Sequence, residues 1–149
     1  MPLNRAQGTV DMPRRCLLLF VLLTAAVSLA SEPALETTTS WDGGEIAYPE
    51  GQPQITAKIL RLEVGEQVPF HCHPVPTMGY VLRGTVKVDL RDGRSQEFDA
   101  GSSLVEVMNT LHRGSAVGGG VEIIVFYAGA VGTPTTIIPE PDDPKGCRE

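Results

Sequence analysis

Short apolar runs separated by turn residues constrain the fold of this chain more than any other feature of its sequence. They recur at short intervals from residue 45 onward, and helical periodicity is absent there. An Asp-Gly turn at Asp92-Gly93 joins two of the runs, which is typical of a β-hairpin. Gly118-Gly119-Gly120 is a second predicted connection. The predicted strands cover residues 45–48, 55–63, 67–73, 77–82, 85–91, 95–98, 103–108 and 121–127.

Antiparallel strands of this length and number predict an all-β fold, a jelly-roll sandwich or barrel. A chain of 149 residues is long enough for one such domain with a single hydrophobic core. The core is expected mainly from apolar strand positions, namely Ile55, Ile59, Leu60, Val81, Leu82, Val86, Val88, Leu104, Val105, Ile123 and Val125.

All three histidines of the chain fit one pattern that suits a metal site. His71 and His73 lie two residues apart, and on a strand such residues project from the same face while Cys72 turns to the other. If His112 joins them from a neighbouring strand, three neutral imidazoles can bind one divalent Zn, Fe, Mn, Ni or Cu ion. The alternative is two loop histidines and an unrelated third.

Glycines around the histidines favour the metal site, because they complete a resemblance to a known family. Gly65, five further residues and His71-x-His73, closed by Gly84, resemble the first cupin motif. The segment 101–112, from a glycine to His112, resembles the second. The resemblance covers about residues 51 to 129 and implies a cupin jelly-roll barrel, or double-stranded β-helix, in which these histidines bind one metal ion.

The chain departs from the family pattern at one ligand position. Thr77 stands where the family has its glutamate ligand, and Val107, Asn109 and Ala116 replace a proline, a glycine and an asparagine. Thr77 is a candidate to orient a metal-bound water, and the alternative is an ordinary β-branched strand residue.

Glu106 is the candidate acid–base group, because it lies between two apolar neighbours where an acid is unexpected. Pointing inward, it would act as general base or hold a histidine; pointing outward, it would be a solvated strand residue. Residue parity does not decide between them, and we favour the inward direction.

A basic pair, Arg14-Arg15, precedes an apolar run that ends at Ala30, which is typical of a secretory signal peptide. Translation starts at Met1 or Met12. We therefore expect a periplasmic or secreted protein with no membrane segment after cleavage. The predicted parts are a signal peptide (1–30), an N-terminal segment (31–50), the cupin domain (51–129) and a Pro-rich acidic tail (130–149), the last extended or poorly ordered.

Charge and cysteine content limit the partners. The chain has a net charge of −6, which disfavours nucleic acid and anionic lipid. Cys16 leaves with the signal peptide, so Cys72 and Cys147 remain in an oxidising compartment. We expect two separate free thiols, with a disulfide through the tail as the alternative.

Three functions are compatible with these features. The first is a metal-dependent enzyme on a small molecule, of the oxygenase or lyase type that the resemblance implies. The second is a non-catalytic periplasmic module that binds a metal or small ligand, and the third is a structural barrel with vestigial histidines. Small cupins often pair, so the resemblance also implies a homodimer.

Overall fold

The computed structural model describes residues 32–140 and Cys147. The predicted signal peptide and most of residues 141–149 therefore lie outside the described residues. Among the described residues, no helix has the length and apolar character needed to cross a membrane. The strands are β1 (Pro53–Leu62), β2 (Thr77–Leu90), β3 (Ser95–Asp99), β4 (Ser103–Val105) and β5 (His112–Ala130).

The strands form one antiparallel sheet in the order β1-β5-β2-β3, and β4 pairs with β2. β5 lies between β1 and β2 and pairs with them along most of its length, so it organises the sheet. The all-β jelly roll predicted from the sequence is confirmed. β2 and β3 form the predicted hairpin, in which Gly93 has a φ of 93° while Asp92 stays in the ordinary region.

Two of the predicted strand boundaries are wrong, because the glycines bend strands without ending them. β2 continues through Gly84, where the register shifts between Val81 and Thr85. β5 continues through Gly118-Gly119-Gly120, the predicted connection. A β-carbon on Gly84 would lie 2.3 Å from the Gly120 carbonyl oxygen, so the two strands approach too closely there for any side chain.

Two other predicted strands, 45–48 and 67–73, form only isolated bridges. Three prolines (Pro69, Pro74 and Pro76) interrupt or follow the second segment, and each lacks the N–H group that a ladder needs. The predicted strand 103–108 ends at Val105. The bridges are Thr39↔Glu45, Gln67↔Ser115, His71↔His112, Cys72↔Ile137 and His73↔Met108.

Most predicted core positions are buried and Leu60 is partly buried, but three are exposed. Ile55, Ile59 and Leu82 are 67%, 50% and 47% exposed. The prediction failed because an apolar residue does not reveal which face of its strand is covered. On β1, the residues that face the core are Leu60 and Leu62, with opposite parity to the two isoleucines.

Candidate metal centre

The structure brings the three histidines together from two parts of the chain. His71 and His73 lie in the segment before β2, and His112 begins β5. Two backbone hydrogen bonds of 2.9 Å between His71 and His112 hold the segments side by side. The three ring centroids are 4.6 to 5.0 Å apart. The three imidazoles therefore lie close together, as the sequence predicted.

Each imidazole has its Nδ1 atom against a backbone carbonyl oxygen. A carbonyl oxygen only accepts, so Nδ1 donates its hydrogen, and in the neutral imidazole Nε2 is left with a lone pair. The three contacts are His71 Nδ1 to Pro69 O at 2.8 Å, His73 Nδ1 to Thr135 O at 2.7 Å, and His112 Nδ1 to Thr110 O at 2.8 Å.

The side chain of Glu106 points into this cluster. Its Oε2 atom lies 2.7 Å from Nε2 of His112 and 3.2 Å from Nε2 of His73. The four donor atoms of the cluster all lie within 4.8 Å of one another. The inward direction favoured from the sequence is the one observed.

The ionisation of these groups depends on one another. Burial alone would raise the pKa of the Glu106 carboxyl, but hydrogen bonds from His112 and His73 outweigh it and hold that pKa well below its usual range. Burial would lower the pKa of His112, but its bond to Glu106 raises it above 6.5. Burial lowers the pKa of His71 to about 4, so this imidazole is neutral near neutral pH.

These four residues fit a divalent transition metal. Nε2 lone pairs and a carboxylate oxygen that face each other repel unless a proton or a cation lies between them. Ligand atoms at about 2.0–2.2 Å from one ion are at most about 4.4 Å apart, so a spread of 4.8 Å requires only a small contraction. A set of three imidazoles and one carboxylate suits Zn, Fe, Mn, Ni or Cu.

Thr77 is not in the cluster. Its side chain is fully buried and its hydroxyl donates to the carbonyl oxygen of Val75 at 3.0 Å, so no contact supports the predicted role in orienting a water. The backbone N–H of Glu106, however, donates to the Thr77 carbonyl oxygen at 2.8 Å. Glu106 therefore lies opposite Thr77 on the neighbouring chain segment. Its carboxylate contacts the histidines and takes the place of the glutamate carboxylate that is missing at position 77.

The C-terminal strap, residues 133–140, lies against the histidine segment. Ile137 and Cys72 exchange two backbone hydrogen bonds of 2.9 Å. Thr135 supplies the carbonyl oxygen that fixes His73, and the Thr136 hydroxyl lies 3.4 Å from the same ring. The tail, residues 130–149, was expected to lie outside the cupin domain and to be extended or poorly ordered; the strap within it makes these specific contacts with the histidine segment. Sequence reasoning missed the β-branched run Thr135-Thr136-Ile137-Ile138, which is a strand signal.

Cys72 and Cys147 form a disulfide, with their Cα atoms 5.8 Å apart. The expectation of two free thiols is therefore wrong. The expectation was based on the Cys72 side chain pointing away from the histidine cluster. That direction is compatible with a disulfide, because the C-terminal strap pairs with Cys72 through Ile137. The bond joins the peptide between the two ligands His71 and His73 to the end of the chain.

A cavity of about 280 Å³ opens beside the cluster. Most of its wall is apolar, with side chains from β1, β2, β4 and β5 and from the segments next to them, and Tyr127 lies with its ring centroid 5.4 Å from that of His73. Burial raises the pKa of the Tyr127 hydroxyl. The lining residues are Lys58, Leu60, Val68, Pro69, His71, His73, Val86, Val88, Leu104, Glu106, His112, Gly114, Ile123, Val125, Tyr127, Thr136 and Ile138.

Comparison with known proteins gives a matching family model and a fold. A family model described as a cupin domain matches residues 58–127. No curated protein matches the sequence significantly.

Among solved structures, the DMSP lyase DddQ from Ruegeria pomeroyi has a TM-score of 0.52 at 17% identity, over 60% of this chain and 45% of that chain. The polyketide cyclase RemF from Streptomyces resistomycificus has a TM-score of 0.50 at 19% identity, over 64% and 67%. A double-stranded β-helix protein from Klebsiella pneumoniae has a TM-score of 0.50 at 13% identity, over 64% and 85%. This chain spans less than half the length of the lyase, and at these identities the likeness shows the fold alone.

Proposed function

Because residues 58–127 of this chain are a cupin domain, we propose that the protein binds one divalent transition metal through His71, His73 and His112 and acts with it on a small molecule. The observation that carries this proposal is the convergence of three Nε2 atoms and a carboxylate oxygen within 4.8 Å. All three Nδ1 atoms are held by carbonyl oxygens, so the ligand atoms are oriented in advance.

A metal in such a site lowers the pKa of a bound water and polarises a substrate oxygen. The side chains around the site supply proton transfer and a water-excluding environment. Glu106 is a fourth donor and lines the cavity, where it takes and returns a proton. The apolar wall excludes water, which strengthens the electrostatic interactions of the site.

The reaction belongs to the oxygenase or lyase type. A carboxylate placed between the cluster and an apolar cavity supports the lyase type, because elimination begins with the loss of a proton from the substrate. The lyase and cyclase that share the fold are compatible with this class but do not identify the substrate.

Elemental analysis tests the proposal. Protein purified without chelator is expected to contain close to one transition metal ion per chain, and the His73→Ala variant less than half as much, because an imidazole ligand is lost. Thr77→Val is the matched control: Thr77 is buried and faces Glu106 but does not touch the cluster, so this variant keeps its metal. Full retention of metal by a variant with both His71 and His73 replaced by alanine would overturn the proposal.

We further propose that the protein is exported and works as a homodimer. The predicted signal peptide and the disulfide between Cys72 and Cys147 support a periplasmic or secreted location, because disulfides persist in oxidising compartments. Sequencing the N-terminus of protein from the cell envelope is expected to give Ser31. An intact residue 1 in protein from the cytosol would contradict export.

A further inference from the structure

The cavity beside the metal centre contains one lysine, Lys58, among its described lining residues. It lies on β1 with the same parity as Leu60 and Leu62, which face the core, and opposite to the exposed Ile59. Its register partner on β5, Val125, is buried and lines the same cavity. The side chain of Lys58 is therefore directed to the ligand-binding side of the sheet.

Lys58 has no acidic partner among the described residues. The ion pairs of that part of the chain do not include it. Glu106 is the one acid of the lining, and its carboxylate is held by His112 and His73. The cationic group of Lys58 is thus available to a ligand.

Tyr127 connects this cation to the metal centre. The Lys58 Nζ atom lies 5.2 Å from the centre of the Tyr127 ring, within the range of a cation–π interaction. The same ring also contacts His73, with the two ring centroids 5.4 Å apart. Lys58 is therefore one aromatic ring away from the ligand cluster, at a separation that a small molecule can bridge.

We propose that the substrate is a small organic anion, whose anionic group binds Lys58 while its apolar body fills the cavity toward the metal centre. The assignment of the cavity as the substrate site rests on the proposed function. A compact ammonium group pairs with a carboxylate, sulfonate or phosphate, and the exposed Lys58 offers this group where it lines the cavity. A cavity of about 280 Å³ is at the small end of the range for small-molecule sites, so it suits a small organic ligand.

Benzoate and its neutral isostere benzamide are suitable probes, with binding measured by calorimetry on the full exported chain. The wild type is expected to bind benzoate about tenfold more tightly than benzamide, and Lys58→Met to lose this preference. Lys58→Arg is expected to retain it. Lys87→Met is the matched control, because Lys87 pairs with Asp89 at 2.8 Å and does not line the cavity.

Each probe is measured with and without bound zinc, since a carboxylate also binds a metal directly. A preference for benzoate in the zinc-free protein that disappears in Lys58→Met supports the inference. Equal binding of both probes by the wild type, or an equal loss of both in Lys58→Met, overturns it. If Lys58→Met does not fold, Lys58→Gln replaces it.

The zinc content of the same samples separates the two proposals. A wild type that binds zinc but does not prefer benzoate overturns the anion inference alone. A wild type that binds none of Zn, Fe, Mn, Ni or Cu overturns the proposed function, and the preference for benzoate is still measured in the metal-free protein.

Discussion

Glu106 is the residue through which the site departs most from its sequence pattern. The motif lacks a carboxylate at position 77, and the structure provides one from the facing segment. Parity along the strand does not give its direction, because β4 ends at Val105 and Asn109 has a φ of 48°, the only non-glycine in the positive region among the described residues. The convergence of the histidines was predictable from their spacing in the sequence. The direction of the Glu106 side chain was not, because it depends on the path of the backbone after β4.

The pair of Glu106 and His112 gives the metal-free protein a characteristic dependence on pH. The raised pKa of His112 stabilises the fold below its unfolded value of 6.5, and this contribution is lost as the pH rises through the folded pKa. The lowered pKa of Glu106 stabilises the fold above 4.5 and is lost as the pH falls. Both contributions are present together between pH 4.5 and 6.5.

We therefore expect metal-free wild type to exceed metal-free Glu106→Gln in stability most strongly in that window, by about 3 kcal/mol. Thermal unfolding of both proteins at pH 5.5 and pH 8.5 measures the difference in stability between them. The titration of His71 contributes to the stability of both proteins, so it cancels in this difference. Bound metal should flatten the profile, because it replaces the proton between the two groups. A difference that was larger at pH 8.5 than at pH 5.5 would contradict this account.

At the scale of elements, the C-terminal strap is part of the candidate metal centre. Its carbonyl at Thr135 fixes the His73 ring, and the pairing of Ile137 with Cys72 fixes the peptide between two ligands. Sequence analysis predicted the strand content well but not this contact, because a single long-range bridge leaves no periodic pattern. The continuous β2 and β5 were also missed, since glycines in a strand resemble a loop when only the sequence is read.

The disulfide is expected to stabilise both the fold and the metal site. It closes a loop with a sequence separation of 75, so Cys147→Ser should lower the free energy of unfolding by about 4 kcal/mol. Because the strap orients His73, zinc affinity should also drop, by roughly tenfold. Urea unfolding and chelator competition measure the two effects.

Thr135→Ala is the matched control for this experiment. Thr135 acts through its backbone carbonyl, which alanine retains, so its zinc affinity should equal that of the wild type. Unchanged zinc affinity in Cys147→Ser would show that the strap holds His73 without the disulfide.

At the scale of the whole molecule, the outer face of the sheet is unusually apolar. In the strand register, Ile124 of β5 pairs with Ile59 of β1 on one side and with Tyr80 of β2 on the other. Two residues further along β5, Phe126 pairs with Met78 of β2. Ile59, Tyr80 and Phe126 are 50%, 39% and 39% exposed. The sequence predicted the apolar strands but assigned Ile59 to the core, because both faces of β1 contain apolar residues.

We expect this face to form the contact of the predicted homodimer, since β1 is also an edge strand. Light scattering on residues 31–149 at micromolar concentration should give a dimer mass, and Phe126→Glu a monomer mass. Val64→Glu is the control, because Val64 is 72% exposed in the turn after β1, away from this face. A monomer mass for the unmodified chain would contradict the homodimer.

The order of residues along the chain also determines when the site is completed during synthesis. His71, His73 and His112 leave the ribosome before Thr135, and Cys147 follows Thr135. An emerging chain therefore has all its imidazoles before it has the carbonyl that orients His73 or the thiol that fastens the strap. A metal ion that arrives before the disulfide forms therefore meets a site in which the strap that orients His73 is not yet fastened.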